Sequence, residues 1–269
     1  MQKVAEEIYK RINNGIYDLE GDKWWKPDFS LNLIKTVLNP YRVGYSEKIF
    51  DLLKINPEGK TALEVGCGGG ILCEEIARIG LIAYGIDPSE QSIMTAVRHS
   101  NESGLNINYA TGAGEYLQFQ DNTFDIVFCC DVLEHVRDLP KVISEISRVL
   151  KPGGIFIYDT FNRTLLSNLV AIKVLQEWKR WAIMPSDLHV WEMFIKPGEI
   201  KFLLQKNKLD WQEHRGIKPN ISYLKMLRFL HKRAVGDITY QEFGKEFAMV
   251  ESRSIQIIYM GYAVKKITV

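Results

Sequence analysis

Between residues 61 and 160 the chain alternates short apolar runs with longer stretches whose apolar positions recur every three or four residues. The runs at 61–65, 83–86, 107–109, 124–130 and 155–159 predict strands, and the stretches at 71–79, 90–103 and 139–150 predict helices. Apolar strands alternating with amphipathic helices form a parallel sheet covered on both faces. Such sheets take ligands beyond the carboxyl ends of their strands. The alternation breaks at 163–200, where 165–181 is helical in pattern and rich in Leu, Val, Ile and Trp. It resumes with a helix at 199–206 and a final strand at 255–264. Ahead of the regular region, Val4, Ala5, Ile8, Tyr9 and Ile12 predict a helix within 1–20 that stops near Asn13-Asn14-Gly15. Trp24, Trp25, Pro27, Phe29 and Asn39-Pro40-Tyr41-Arg42 follow, as a loop that covers something or an arm packed on the core. The expected division is a helical arm at 1–45 and one main domain at 46–269, with a substrate-covering insertion at about 163–200.

Composition narrows the function class. The 269 residues are 46% hydrophobic and 25% charged, with a formal net charge of +1. That is ordinary for a globular protein. It lacks the basic footprint of nucleic-acid binders, so no nucleic-acid partner is expected. Cys67, Cys73, Cys129 and Cys130 form no CxxC pair, which argues against a zinc cluster and suits a reducing, cytoplasmic setting. No stretch reaches the roughly 18 apolar residues of a transmembrane helix, and the start does not read as a signal peptide.

The chemistry concentrates after the first strand, at Glu64-Val65-Gly66-Cys67-Gly68-Gly69-Gly70. Glycines let a chain turn sharply and let a ligand approach its backbone, and the next helix points free N–H groups into the same space. Phosphate and dinucleotide loops use such turns too. Here Ile71-Leu72 stands where a Walker A loop needs Lys-Ser/Thr, and Ile71 where a Rossmann fingerprint needs a third glycine. Glu64 suits the amino group of an amino-acid moiety and would repel a pyrophosphate. Asp87, ending the second strand, can accept hydrogen bonds from both hydroxyls of a ribose.

Leu63–Gly70, Gly85-Ile86-Asp87-Pro88-Ser89, Phe124-Asp125-Ile126-Val127 and Leu150-Lys151-Pro152-Gly153-Gly154 resemble the ordered motifs of class I S-adenosylmethionine methyltransferases. The resemblance implies an α/β fold, a Rossmann-like doubly wound sheet of seven mostly parallel strands, with S-adenosylmethionine as donor and S-adenosylhomocysteine as product. It implies that Gly66 and Gly68 line the methionine part, that Asp87 holds the ribose, and that Ile86 or Pro88 flanks the adenine beside 111–115. Trp24-Trp25, Asn39-Pro40-Tyr41-Arg42, Asp131-Val132-Leu133-Glu134-His135-Val136, Phe161-Asn162-Arg163 and Phe194-Ile195-Lys196-Pro197 extend it toward the ubiquinone-biosynthesis O-methyltransferases, which methylate a phenolic hydroxyl on a polyprenylated ring. That closer resemblance implies cofactor carboxylate binding by Arg42, Cys130 below the methyl donor, and a divalent cation such as Mg2+ on Asp131, Glu134 and His135. Without a metal, His135 would cap the next helix or sit near the substrate, and Glu134 would pack at the cofactor pocket. Two departures lie on the substrate side. Asp131 stands for the family's Glu, and Leu188-His189-Val190 for its Thr-His-Asp.

The implied partner is a small-molecule methyl acceptor, phenolic or catechol-like. A phenol, with a free pKa of about 10, must lose its proton, and His135 and His189 are the expected bases. Other readings are an N- or C-methyltransferase on a non-quinone metabolite, a nicotinamide-dependent oxidoreductase on a similar sheet, or a silent binding module. The 165–181 stretch would pack on the core, form a lid over an apolar substrate or, with Lys173, Lys179 and Arg180 at its flank, lie on a membrane surface.

Overall fold

A computed structural model describes residues 2–267. Eight strands build one sheet: β1 (Thr61–Val65), β2 (Ile82–Asp87), β3 (Asn108–Thr111), β4 (Phe124–Cys130), β5 (Leu150–Phe161), β6 (Leu209–Pro219), β7 (Met249–Ser252) and β8 (Ile258–Lys265). Their order is β3-β2-β1-β4-β5-β8-β6-β7. β1 to β5 are parallel neighbours, while β8 inserts antiparallel between β5 and β6. The family resemblance implied seven strands. The eighth is β7, which pairs antiparallel with the far half of the eleven-residue β6, from Gly216↔Ser252 to Pro219↔Met249. Its run Met249-Val250-Glu251-Ser252 is too short and mixed to stand out as a strand.

The central strands are apolar on both sides because both faces are covered. One face packs Ala62, Ile126, Phe128, Ile155 and Ile157 against Tyr45, Ile49, Leu72 and Ile76. The other packs Leu63, Val65, Val127 and Phe156 against Val142, Ile143, Ile146 and Ile200. The covering helices start where their sequences dictate. Ser89 caps Glu90–Glu102 by accepting from the Ser92 N–H at 3.2 Å, and Asp138 caps Leu139–Val149 by accepting from the Lys141 N–H at 3.0 Å.

Outside the alternating core the structure departs from plain helices. A single helix, Asn39–Leu53, runs through position 45 with Pro40 in its first turn. In the late insertion only Leu165–Ser167 is a regular α-turn, and Asn168–Glu177 winds as a π-helix. Residues 178–190 then cross without regular structure. Ala171, Ile172 and Gln176 are buried, whereas Leu165, Leu166, Leu169 and Trp178 stay exposed. No helix among the described residues is long and apolar enough to cross a membrane.

Ile146 is fully buried between its helix and the sheet. Replacing it by Ala should cost about 3 kcal/mol through lost burial and the cavity left behind. Urea unfolding should show a lower midpoint at an unchanged slope.

Candidate active site

The chain turns at the carboxyl ends of β1, β2 and β4 around a cavity of about 420 Å³, a size typical of small-molecule pockets. Its floor is the glycine turn. Gly66 and Gly68 have φ of +76° and +51°, and a Cβ on either would strike Val132 at 2.4 Å or the Trp24 ring at 2.5 Å. Only glycine satisfies both the left-handed backbone and the close approach.

Acidic side chains ring this floor. Glu64 is buried, Oε2 has no hydrogen-bond partner among the described residues, and burial pushes its pKa up to about 8. Asp87 accepts from the Gly68 N–H at 2.9 Å and the Ser89 N–H at 2.9 Å. Burial raises its pKa to about 6, against the pull of those two bonds. Each of its oxygens keeps a free lone pair. Pro88, Ala113, Gly114 and Glu115 continue the wall on this side. Ile86 does not line the cavity.

Arg42, Cys130 and Asp131 close the other end. Arg42 is buried and forms a two-pronged pair with Asp159, Nε to Oδ2 at 2.7 Å and Nη2 to Oδ1 at 2.8 Å. Burial alone would lower its pKa, but Asp159 more than offsets that and keeps it charged. Nη1 donates to Asn39 Oδ1 at 3.3 Å. Asp159 was not singled out from the sequence. The one signal for it was an acid near the end of an apolar strand, Ile155-Phe156-Ile157-Tyr158-Asp159.

The three residues considered for a metal do not come together as expected. Asp131 sits at φ +59° just past β4, and its carboxylate lies 3.8 Å from Arg42 Nη2. Glu134 and His135 cluster instead with His189, their ligand atoms all within 4.8 Å of one another. The Asp131 carboxylate is thus the one of the three that faces Arg42. One carboxylate and two imidazoles do not make the oxygen-rich shell that Mg2+ takes. Glu134 does not line the cavity; it lies behind, accepting from Thr160 Oγ1 at 2.8 Å. Burial raises the pKa of both Asp131 and Glu134.

His135 and His189 both line the cavity, with ring centroids 4.9 Å apart. Burial lowers the His135 pKa to about 4. Burial and the nearby His135 push His189 well below its usual value, so both rings are neutral at physiological pH. His135 Nδ1 lies 3.2 Å from Asn14 Oδ1, while His189 Nδ1 has no partner among the described residues.

The amino-terminal segment forms the roof. Tyr17 stacks on Trp24 and stands edge-on to His135, and the Trp24 indole donates to Ser92 Oγ at 2.9 Å. The Trp25 indole donates to the Gly69 carbonyl at 2.8 Å and stacks on His99 at 3.4 Å. Asn14 Nδ2 donates to the His135 carbonyl, and the Asn13 N–H reaches the Asp187 carbonyl of the insertion. Leu31, Leu33, Ile34 and Leu38 join Met184, Pro185 and Leu188 of the insertion in an apolar part of the cavity lining. Sequence reading took the tryptophan segment as a covering loop or an arm packed on the core, and it missed Asn14 and Tyr17, which carry no motif.

A buried neutral His135 has a consequence for acid stability. Unfolded, it takes up its proton near pH 6.5; folded, only near pH 4. The unfolded state therefore binds more protons between these values, and stability falls as pH drops through that window. Between pH 6.5 and 4 the parent should lose about 3 kcal/mol more than His135→Gln, read from urea unfolding at each pH.

Residues 63–158 match a family model described as a methyltransferase domain. The chain is 37% identical over 199 residues to a ubiquinone biosynthesis O-methyltransferase of Methylococcus capsulatus, covering 74% of this chain and 81% of that protein. It is 31% identical to the Agrobacterium fabrum protein of that name, covering 82% and 90%. Among solved structures, magnesium protoporphyrin IX methyltransferase from Synechocystis, with bound S-adenosylhomocysteine, aligns with a TM-score of 0.55 at 19% identity, covering 83% of this chain and 82% of that one. A SAM-dependent methyltransferase from Aquifex aeolicus aligns at 0.54 and 14% identity, covering 97% of each. These two share the fold. With the relatives matched over most of their length, the chain belongs to the ubiquinone biosynthesis O-methyltransferase family of S-adenosylmethionine-dependent methyltransferases.

Proposed function

We propose that the protein moves the methyl group of S-adenosylmethionine to a hydroxyl of a small phenolic or catechol-like acceptor, with a neutral histidine taking the proton. The observation that carries this reading is the pair His135 and His189. Two uncharged imidazoles wall the cavity where β4 ends, and one of them has an unpartnered nitrogen.

The cavity fits the donor. Glu64, buried with a free oxygen, would take the ammonium group, and Arg42 the carboxylate. Asp87 would take the ribose hydroxyls with its remaining lone pairs. Gly66 and Gly68 would admit the methionine part against bare backbone, with Cys130 below it. When bound, the sulfonium supplies an already activated methyl group. The chain then has to hold the acceptor in line, and positioning alone can supply much of the rate. His189 is the better placed base, since His135 Nδ1 already faces Asn14. A base with a lowered pKa still serves here. An ionising phenol beside it forms an ion pair in a dry site, which restores its proton affinity. The apolar side chains of the roof and insertion would hold the acceptor and exclude water. We also propose that the arm at 1–45 acts as a lid over the main domain at 46–269. The exposed Leu165, Leu166 and Leu169, together with Trp178, would rest on a membrane surface while an apolar acceptor enters. Four free cysteines suit a reducing, cytoplasmic setting.

S-adenosylhomocysteine should raise the melting temperature and NAD should not; no shift with the former sinks the cofactor reading. Because Glu64 is protonated below about pH 8 in the free protein and ionised beside an ammonium, binding should release a proton. Affinity should rise from pH 6 to 7.5. Calorimetry in buffers of different ionisation heat should show that proton, and Glu64→Gln should abolish it. In a screen of catechols, phenols and amines with labelled donor, His189→Gln should slow methylation of a catechol about a hundredfold. S-adenosylhomocysteine affinity should stay unchanged. Turnover of amines alone would overturn the hydroxyl acceptor.

A further inference from the structure

We propose that Asp159 is a positioning residue for the carboxylate end of the cofactor, acting through Arg42 and the backbone of Asp131. The inference rests on the cofactor reading above.

Asp159 is fully buried on β5, in register with Cys130 of β4. It accepts three hydrogen bonds from two other parts of the chain. Two come from Arg42 on the Asn39–Leu53 helix, and the third is the Asp131 N–H at 3.0 Å. Both groups it holds line the cavity.

The geometry at Arg42 gives this a direction. A guanidinium has five N–H donors in a fixed plane. Asp159 closes the Nε–Nη2 edge and Asn39 takes one hydrogen of Nη1. Two hydrogens remain, one on each Nη. A carboxylate entering the cavity would meet a guanidinium whose plane is already set. No rotamer entropy is left to lose on its arrival, and such charge-assisted bonds are strong only when geometry is held.

At Asp131 the same carboxylate supports a strained turn. A non-glycine residue at φ +59° needs its surroundings to hold it. Its N–H bond to Asp159 does so. The loop from there to His135 begins on that turn, so one side chain sets both the cofactor's anchor and the start of the segment that carries His135.

A purely charge-balancing Asp159 would predict the opposite effect on binding. Removing its charge would free Arg42 for the ligand and tighten carboxylate binding. A positioning role predicts weaker binding, confined to ligands that carry the carboxylate.

The test compares S-adenosylhomocysteine with 5′-methylthioadenosine, which keeps adenine and ribose but lacks the amino-acid part. Calorimetric affinities are measured for the parent, Asp159→Asn and Arg42→Lys. Asp159→Asn keeps the shape but presents an N–H₂ where the guanidinium needs an acceptor. It should weaken S-adenosylhomocysteine about thirtyfold and leave methylthioadenosine within about twofold. The cofactor KM should rise similarly, with kcat changed much less. Arg42→Lys keeps the charge but cannot form the two-pronged pair. It should show the same selective loss, and it carries the test if Asp159→Asn does not fold. Equal losses for both ligands would make Asp159 merely structural and overturn the proposal, as would tighter S-adenosylhomocysteine binding. A parent that binds both ligands equally well overturns the proposal while the nucleoside site stands. A parent that binds neither overturns the cofactor reading as well.

Discussion

Four carboxylates crowd the carboxyl ends of the neighbouring strands β2, β1, β4 and β5, and one arginine answers them. Glu64, Asp87 and Asp159 are buried, and Asp131 is partly buried. Arg42 is the only buried lysine or arginine among the described residues. Burying a carboxylate is costly unless it is paired, hydrogen-bonded or protonated. The three buried acids take different escapes. Asp159 pairs with Arg42, Asp87 accepts backbone N–H groups, and Glu64 is pushed toward its protonated form. An imbalance of this sign favours a cationic ligand. A sulfonium with an amino-acid tail carries two positive groups and one negative, which is what the site lacks. The family resemblance and the electrostatics of the cavity therefore point to the same donor by separate routes.

The opposite wall of the cavity has the opposite character. The roof from the amino-terminal segment and the insertion is apolar, and it buries two histidines until both are neutral. Charged groups gather on the sheet side, and two neutral imidazoles stand under the roof. The low polarity that keeps His189 uncharged also strengthens any ion pair formed when an acceptor gives up its proton. The roof is held by few but specific contacts: the Trp25 indole on Gly69, the Trp24 ring against Gly68, and Asn13 and Asn14 reaching to the insertion and His135. These tie the amino-terminal segment to the glycine turn itself.

Much of this was legible along the chain. The glycine turn, Glu64 and Asp87 could be found because their roles follow from local order. A short apolar strand ends, a turn needs glycine, and one acid stands just before that turn while another ends the next strand. The alternation from 61 to 160 carried the parallel sheet for the same reason, since strands buried on both faces must be apolar throughout. Arg42, Cys130, His135 and His189 could be named as residues of interest, but not placed against one another.

What the sequence determined by itself was therefore the sheet, the ligand end of that sheet, and the class of donor it receives. Tertiary structure decided the rest. Asp159 meets Arg42 across 117 residues of chain, a separation that no periodicity reports. His189 comes to Glu134 and His135 from the late insertion, more than fifty residues on, which no side-chain pattern announces. The eighth strand exists because β6 runs long enough to offer an edge, and the roof closes because Trp24 fits against glycines that it does not neighbour in sequence. Local rules act through the few residues within a turn, whereas pairing across the fold depends on where the chain returns.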